Sequence, residues 1–564
     1  MNKIIVLICS LLIFQTSAFA QNVVFVDNIF KQALVDMSFI NTNGDTEIQI
    51  SEAVNYNGLI DVSNYGIVSL VGIEEFVNIT TLWCNTNSLS TLDLSSNTVL
   101  QEVNCSENPM ALLTLPNSTI LKAVNCSNNN LMTLDLTQSS GLTQLNCSLN
   151  NLSVLNLSAN SSLLHVNCSG NQISTLDLSQ SPNLVNLIAN HNIITSLNLS
   201  FNTNLRKVIC NNNEINTISI NNSPLLKELQ CQTNQIPSLI INTCEDLEYL
   251  DCSENLIPSL DVTSNLELKF LACQNNQIGG LNLFLHSKLS HLNCSNNNIP
   301  SLLVGASTKL GYLNCSNNYL PSLNISQNIS LKNVYCQNNN IYALFLDQLD
   351  SITDLNCSHN QIEQISLSNS EFYETIDVGN NELSVLEVSS LINLTSLKAD
   401  SNFIEELDLS QNSALELIRV EKNELTTLNI KNGSNTVLTP INNNHKFSAV
   451  YNFYLECIQV DNVSWSEDNL TEIHQITGFS QDCNTFSIEE SDLTEIQIFP
   501  NPTTSTINVQ SPLQIEFIEV YDPIGNLVMN STLTTFSVDH LSKGIYTLKI
   551  SGKNTYTTSQ FIKL

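Results

Sequence analysis

Positive charge is scarce in this chain: 19 Lys and Arg stand against 52 Asp and Glu, a net charge of -33 over 564 residues. Such a balance repels nucleic acid and anionic membrane surfaces, so neither is an expected partner. Charged residues of both signs make up only 13% of the chain and aromatic residues 6%, so any cluster of either is informative. Catalytic signatures are missing as well. There is no G-x-S-x-G, no H-E-x-x-H and no phosphate-binding glycine loop, and the eight histidines are scattered. An enzyme is not expected. Although the chain has 17 cysteines, it contains no C-x-x-C, which removes the usual spacing of a metal-binding or redox pair. Past the N-terminal leader, no apolar run is long enough to cross a bilayer.

What is present is a ruler. Thirteen cysteines, from Cys84 and Cys105 through to Cys336 and Cys357, are spaced by 21 residues or a multiple of it, with Ala189 on the one vacant mark. The same marks continue as Val378, Ala399 and Val420, so the position takes small apolar residues and does not require sulfur. Three residues downstream a second ruler runs from Asn87 to Asn444 without a gap. Leu, Ile or Val recurs around both, as in Leu142, Leu145, Cys147, Asn150, Leu152, Leu155 and Leu157, and residues 79–435 hold 17 such units. Alternating apolar residues before each Cys have the period of a half-buried strand, and the Asn can satisfy backbone groups where the chain turns. One unit cannot stand alone. Burying five apolar side chains does not offset the entropy of ordering 21 residues, so stacking on neighbours is obligatory.

This pattern resembles the leucine-rich repeat, and more narrowly the 21-residue form of secreted proteins of Bacteroidetes. The resemblance implies a mainly β fold, a solenoid whose parallel sheet lines its concave face. Three readings of the cysteine ladder compete: disulfides, metal ligands and core packing. Neighbouring positions on adjacent strands lie about 4.8 Å apart, whereas a disulfide needs Cβ atoms near about 3.8 Å, so free buried thiols are expected. Cys244 falls off the ruler and is expected to be free in a connecting stretch. Residues 436–486 resemble a C-terminal cap carrying Trp465, within which a Cys457–Cys483 disulfide is expected, two unpaired thiols being the alternative.

The ends of the chain indicate a compartment. Lys3, an apolar run from Ile4 to Phe14 and Ser17-Ala18-Phe19-Ala20 read as a signal peptide over residues 1–20. Residues 487–495 read as an exposed linker. Residues 496–564 leave the 21-residue period for short strands with Ile496 to Pro502, Ile518 to Gly525 and Leu541 to Tyr546. They resemble the type A sorting domain of the type IX secretion system, a small β-sandwich. The resemblance implies export through the periplasm by that machinery as partner, then release or attachment at the outer-membrane surface. An ordinary carbohydrate-binding or immunoglobulin-like module is the alternative.

Residues 21–78 resemble an N-terminal cap, with a helix expected from Phe25 to Ile40 and a 22-residue variant unit after it. Inside it, Asn41 to Glu52 resembles the twelve-residue EF-hand loop. Its oxygens would come from Asn41, Asn43, Asp45, Glu47 by its carbonyl, and Glu52. Neutral Asn41 replaces the first carboxylate and Thr46 the turn glycine, so weak calcium binding competes with a plain turn between two helices.

Function should sit on outward positions of the inner sheet, a ribbon on the order of 80 Å long for 17 strands at about 4.8 Å. Successive units place Tyr249, Phe270, His291 and Tyr312 in one column, with Tyr335 diagonal to it. Exposed rings can stack on sugars or anchor a protein; alternatively they brace the sheet as cross-strand pairs. His291 is the best single catalytic candidate and reads better as a member of the row. Asp251 and Glu228 lie on adjacent units, but a flat sheet supplies no pocket to shift their pKa values. Two functions remain: a secreted or surface protein- or glycan-binding module, adhesin-like, or a structural surface-layer or spacer protein without a specific ligand.

Overall fold

A computed structural model describes residues 21–439, 445–483, 496–511, 515–552 and 555–564. The candidate signal peptide and the 487–495 linker lie outside them. The chain divides into two compact units at Ser307 and Thr308, taken in turn below.

The first unit opens on helix α1, Asn28–Val35. It is shorter than the expected Phe25–Ile40 because each end has a local reason to stop. Asp27 caps the start, its Oδ1 accepting from Ile29 N at 2.7 Å, and the N–H groups of Ile40 and Asn41 both turn back to Met37 O. The other Asp27 oxygen accepts from Val68 N at 2.7 Å, so one carboxylate ties the helix to the first coil. Helix α2, Ile50–Asn55, follows.

The solenoid then begins. Three-residue strands run from Leu59–Asp61 and Thr81–Trp83 to His291–Asn293, each parallel to the next and paired residue for residue with the following coil. In Gln144–Asn146 the middle Leu145 is buried and its neighbours face outward, the period-2 alternation that the sequence carries. Cys147 comes next and prolongs the ladder, its N–H donating to Asn167 O at 2.8 Å. Every ladder cysteine is buried, and none of them is disulfide-bonded. Burial pushes the thiols up, to about 12 at Cys126, Cys168, Cys210 and Cys294, so they stay protonated and pack as small hydrophobes.

Two residues past each cysteine the chain turns through the left-handed region. Thr86 has φ +56°, Leu149 +54° and Thr233 +55°, a conformation that costs a non-glycine residue free energy at every coil. The ladder asparagine makes this corner affordable. Asn150 Nδ2 donates to Cys126 O at 3.0 Å, Cys147 O at 3.1 Å and Ser148 O at 3.2 Å. Its Oδ1 accepts from Leu131 N at 3.0 Å. The side chain therefore holds its own corner and the preceding coil, and the pattern recurs from Asn108 to Asn423.

A third ladder, thirteen residues after the cysteines, was not read from the sequence. Asn97, Ser139, Asn160, Ser181, Asn202, Ser223, Cys244, Asn265, His286 and Ser307 are all buried there. Cys244 is free, as expected, in the connection between two strands, and it is fully buried, its Sγ 3.6 Å from Ile220 O, the acceptor position that asparagines use elsewhere. Asn160 Nδ2 donates to Leu136 O at 3.1 Å and Ser139 O at 2.9 Å, but its Oδ1 has no hydrogen-bond partner, and the same holds at Asn97, Asn202, Asn265 and Asn412.

In the second unit parallel strands run from Tyr312–Asn314 to Leu417–Arg419, with Phe447–Ser448 beside the last of them. The asparagine ruler breaks here. Asn444 lies outside the described residues, and Asn452 takes the next rung, donating to Val420 O and Ala449 O at 2.9 Å each. A second row, Glu406–Asp408, Thr427–Asn429, Cys457–Gln459 and Gly478–Ser480, also runs parallel, so coil pairing extends past residue 435. Cys457 and Cys483 are disulfide-bonded, with Cα atoms 5.8 Å apart. Residues 497–563 then form antiparallel sheets of three and four strands around Ile507, Ile518, Val520, Leu548 and Phe561.

Candidate functional site

Each strand of the inner sheet offers two outward residues per coil, and because register is one-to-one, side chains 21 residues apart stand beside each other at strand spacing. In the first unit Tyr249, Phe270 and His291 occupy one such column. Tyr249 and Phe270 rings are 4.2 Å apart at 5°, and Phe270 and His291 rings 4.3 Å apart at 7°. These are face-to-face stacks running along the sheet. In the second unit Tyr312 and Tyr335 are 5.7 Å apart and tilted by 55°. All five rings are half-buried.

The surroundings are charged but locally balanced. Glu228, the residue paired with Tyr249 on the preceding strand, bonds Lys207 at 2.9 Å. Glu248 lies between Lys227 at 2.8 Å and Lys269 at 2.5 Å, which hold its carboxyl down at about 2. In a chain short of cations, this is a concentration of them. Burial pushes Asp251 up, although the Ser253 hydroxyl at 2.6 Å and N–H at 3.1 Å oppose it. Tyr249 is raised by burial and by the charges of Asp251 and Glu228, and His291 is lowered by burial, so both are neutral near pH 7. In the second unit, burial raises Tyr335, and Asp354 adds to it while accepting from Asn333 at 2.7 Å and Thr375 at 2.7 Å.

Towards the N-terminus the same face changes character. A shallow trough of about 360 Å³ is lined by Asn104, Asn125, Asn146, Asn167, His165 and Glu102. Each of those asparagines turns its Oδ1 to the serine two residues on, as Asn146 does to Ser148 Oγ at 2.7 Å.

The EF-hand-like loop closes on itself. Glu52 Oε1 accepts from Thr42 N at 2.8 Å, Thr42 Oγ1 at 2.9 Å and Asn43 N at 3.2 Å, and Oε2 from Gln49 N at 3.0 Å. Asp45 accepts from Glu47 N at 2.7 Å, Asn43 Nδ2 at 3.0 Å and Gln49 Nε2 at 3.0 Å. Asn41 Nδ2 donates to Val35 O and Asp45 O, and Glu47 pairs with Lys31 at 2.6 Å. The side-chain oxygens of Asn41, Asn43, Asp45 and Glu52 are thus turned to protein donors, a poor fit for a hard cation. Among the described residues no three or more His, Cys, Asp or Glu side chains are grouped to hold a metal ion.

Residues 497–564 match the family described as the secretion system C-terminal sorting domain. No curated protein matches the chain. Among solved structures it is similar to YopM from Yersinia enterocolitica, at 23% identity and a TM-score of 0.51 over 72% of this chain and 91% of that one. It is also similar to the plant peptide hormone receptor RGFR1, solved with RGF2, at 18% identity and 0.53 over 75% and 73%. The functional domain of InlJ from Listeria monocytogenes, which includes a cysteine ladder, aligns over 96% and 98% at 23% identity and a TM-score of 0.43. The fold is therefore a leucine-rich-repeat β-solenoid of about 20 turns with 21-residue repeats, followed by a small antiparallel β domain. That last domain is a secretion sorting domain, and it implies export by the type IX machinery to the cell surface or beyond. No helix among the described residues is long and apolar enough to cross a membrane.

Proposed function

We propose that this protein is an exported, non-enzymatic binding module that recognises a protein partner on its inner sheet, around Tyr249, Phe270 and His291 in the first unit and Tyr312 and Tyr335 in the second. One observation carries the reading. Rings 4.2 and 4.3 Å apart and nearly parallel cover each other's faces. A sugar ring stacks on an aromatic face, and here both faces of Phe270 and one face each of Tyr249 and His291 are taken. The half-buried rings leave part of their surface to solvent, beside the Lys227–Glu248–Lys269 chain. Amphipathic rings inside a polar rim suit a protein interface, where a few aromatic anchors supply most of the binding energy. The similarity to solenoids that include a peptide receptor supports the same reading by analogy alone.

On this proposal the N-terminal leader is a signal peptide, and the exported protein acts in an adhesin-like way, released or held at the cell surface. A structural spacer is the second reading, and the Asn-rich trough around Asn125 and Asn146 favours it, being hydrated and poor in anchors. The test uses immobilised full-length protein challenged separately with surface-protein extracts and with a glycan array. A Tyr249→Ala, Phe270→Ala, His291→Ala variant should lose protein capture with little change in melting curve. Unaltered capture, or retention of glycans and no protein, would overturn the proposal.

A further inference from the structure

The sorting domain carries buried charge where its own fold gives no reason for any. In the strand Ile515–Tyr521, Ile518 and Val520 point into the domain's core. Glu519 and Tyr521 must then point to the opposite face, as must Lys549, which pairs with Glu519 from between Leu548 and Ile550. On a small two-layer β domain that face meets solvent. Here Glu519 is 7% exposed, Tyr521 9% and Lys549 5%. A buried carboxylate and a buried ammonium are costly unless something partners them.

The cover comes from the end of the solenoid. The Phe453 ring stands edge-on to Tyr521 at 5.3 Å and 75°, and also to His474 at 5.4 Å and 78°. His474 Nε2 lies 3.7 Å from Glu519 Oε1, and Glu456 acts electrostatically on Lys549. The cap thus supplies an aromatic wedge, an imidazole for the carboxylate and a carboxylate for the lysine, complementary in both shape and sign. Burial works against charge on both sorting-domain groups. Glu519 is raised by burial yet held below the usual range overall by His474, Tyr521 and Lys549, while Lys549 falls to about 8 despite Glu519 and Glu456.

We infer that the C-terminal cap is a docking platform for the sorting domain, which binds it through the Glu519–Tyr521–Lys549 face. While the two are docked, that face is closed to the export machinery, and the cap surface bearing Phe453 and His474 is masked until the domain leaves.

The full chain tests this directly. With the photoreactive p-benzoylphenylalanine in place of Phe453, irradiation should join the cap to the peptide spanning residues 515–521. Glu519→Lys, which sets a cation against Lys549 and removes the carboxylate partner of His474, should remove most of that product, and the exposed control Asp539→Lys should not. His474→Ala lies outside the sorting domain, so a loss it causes cannot come from misfolding there, and a loss is again expected. Cross-links confined to the cap, or yields indifferent to Glu519→Lys and His474→Ala, would overturn the inference.

Discussion

Asn150→Ala should destabilise the solenoid far more than Asn160→Ala, although the two asparagines are both buried and only ten residues apart. Asn150 has two N–H groups serving three carbonyls and one oxygen serving Leu131 N, so its amide is fully used. Its removal deletes about three net hydrogen bonds at ~0.5–1.5 kcal/mol each and strands the buried Leu131 N–H for a further ~1–3, giving about 2.5–7.5 kcal/mol. Asn160 makes two donor contacts and leaves Oδ1 unpartnered. Its deletion also removes that burdened oxygen, so the expected cost is about 1–2 kcal/mol. Both side chains bond the preceding coil, so the loss falls on coil-to-coil coupling. Hydrogen exchange of the Leu131 and Cys147 amides, alongside urea melts by circular dichroism, resolves local from global loss. An Asn160→Ala cost equal to that of Asn150→Ala would refute the reasoning.

Thiol labelling of native protein should find none of the fourteen cysteines outside the disulfide among the described residues reactive, and all of them after unfolding. Any native labelling of the ladder would mean the core admits solvent. His286 is buried and lowered by burial, its Nε2 3.1 Å from Val262 O. A depressed histidine is neutral in the fold, so stability is full above about pH 6.5 and falls below it as the unfolded chain takes up the proton. His286→Asn, the residue at the same rung in Asn265, should flatten that part of the pH–stability curve. Leu149→Asn should stabilise by about 0.5–1 kcal/mol in thermal melts, because Asn tolerates φ +54° better than Leu. The melting temperature should be indifferent to chelator, since Glu52 and Asp45 already have protein donors; a drop on adding chelator would restore calcium to the Asn41–Glu52 loop.

Much of this could be read in advance because a repeat samples one environment many times. Seventeen units in register left no doubt which residues stack, and Asn87, Asn108 and their successors marked the corner without any coordinates. The third ladder escaped because Asn, Ser, Cys244 and His286 share no residue type, only the ability to reach a carbonyl of the preceding coil. Asn452 escaped for a different reason. The ruler counts residues, whereas the rung is a place in space, and a longer connection moved the asparagine that fills it.

The sequence by itself determined the repeat length, the strand positions, the burial of the thiols and the column that holds Tyr249, Phe270 and His291, since each follows from spacing and side-chain chemistry within one coil and its neighbour. Tertiary structure alone decided how those rings meet. Strand spacing would have allowed tilted rings, as at Tyr312 and Tyr335, and only the packed arrangement shows Tyr249, Phe270 and His291 stacked face to face. It alone decided, too, that Glu519 and Lys549 are buried. Their strand alternation says solvent, and what covers them is brought there by Phe453 and His474, residues distant in sequence that no local pattern connects to them.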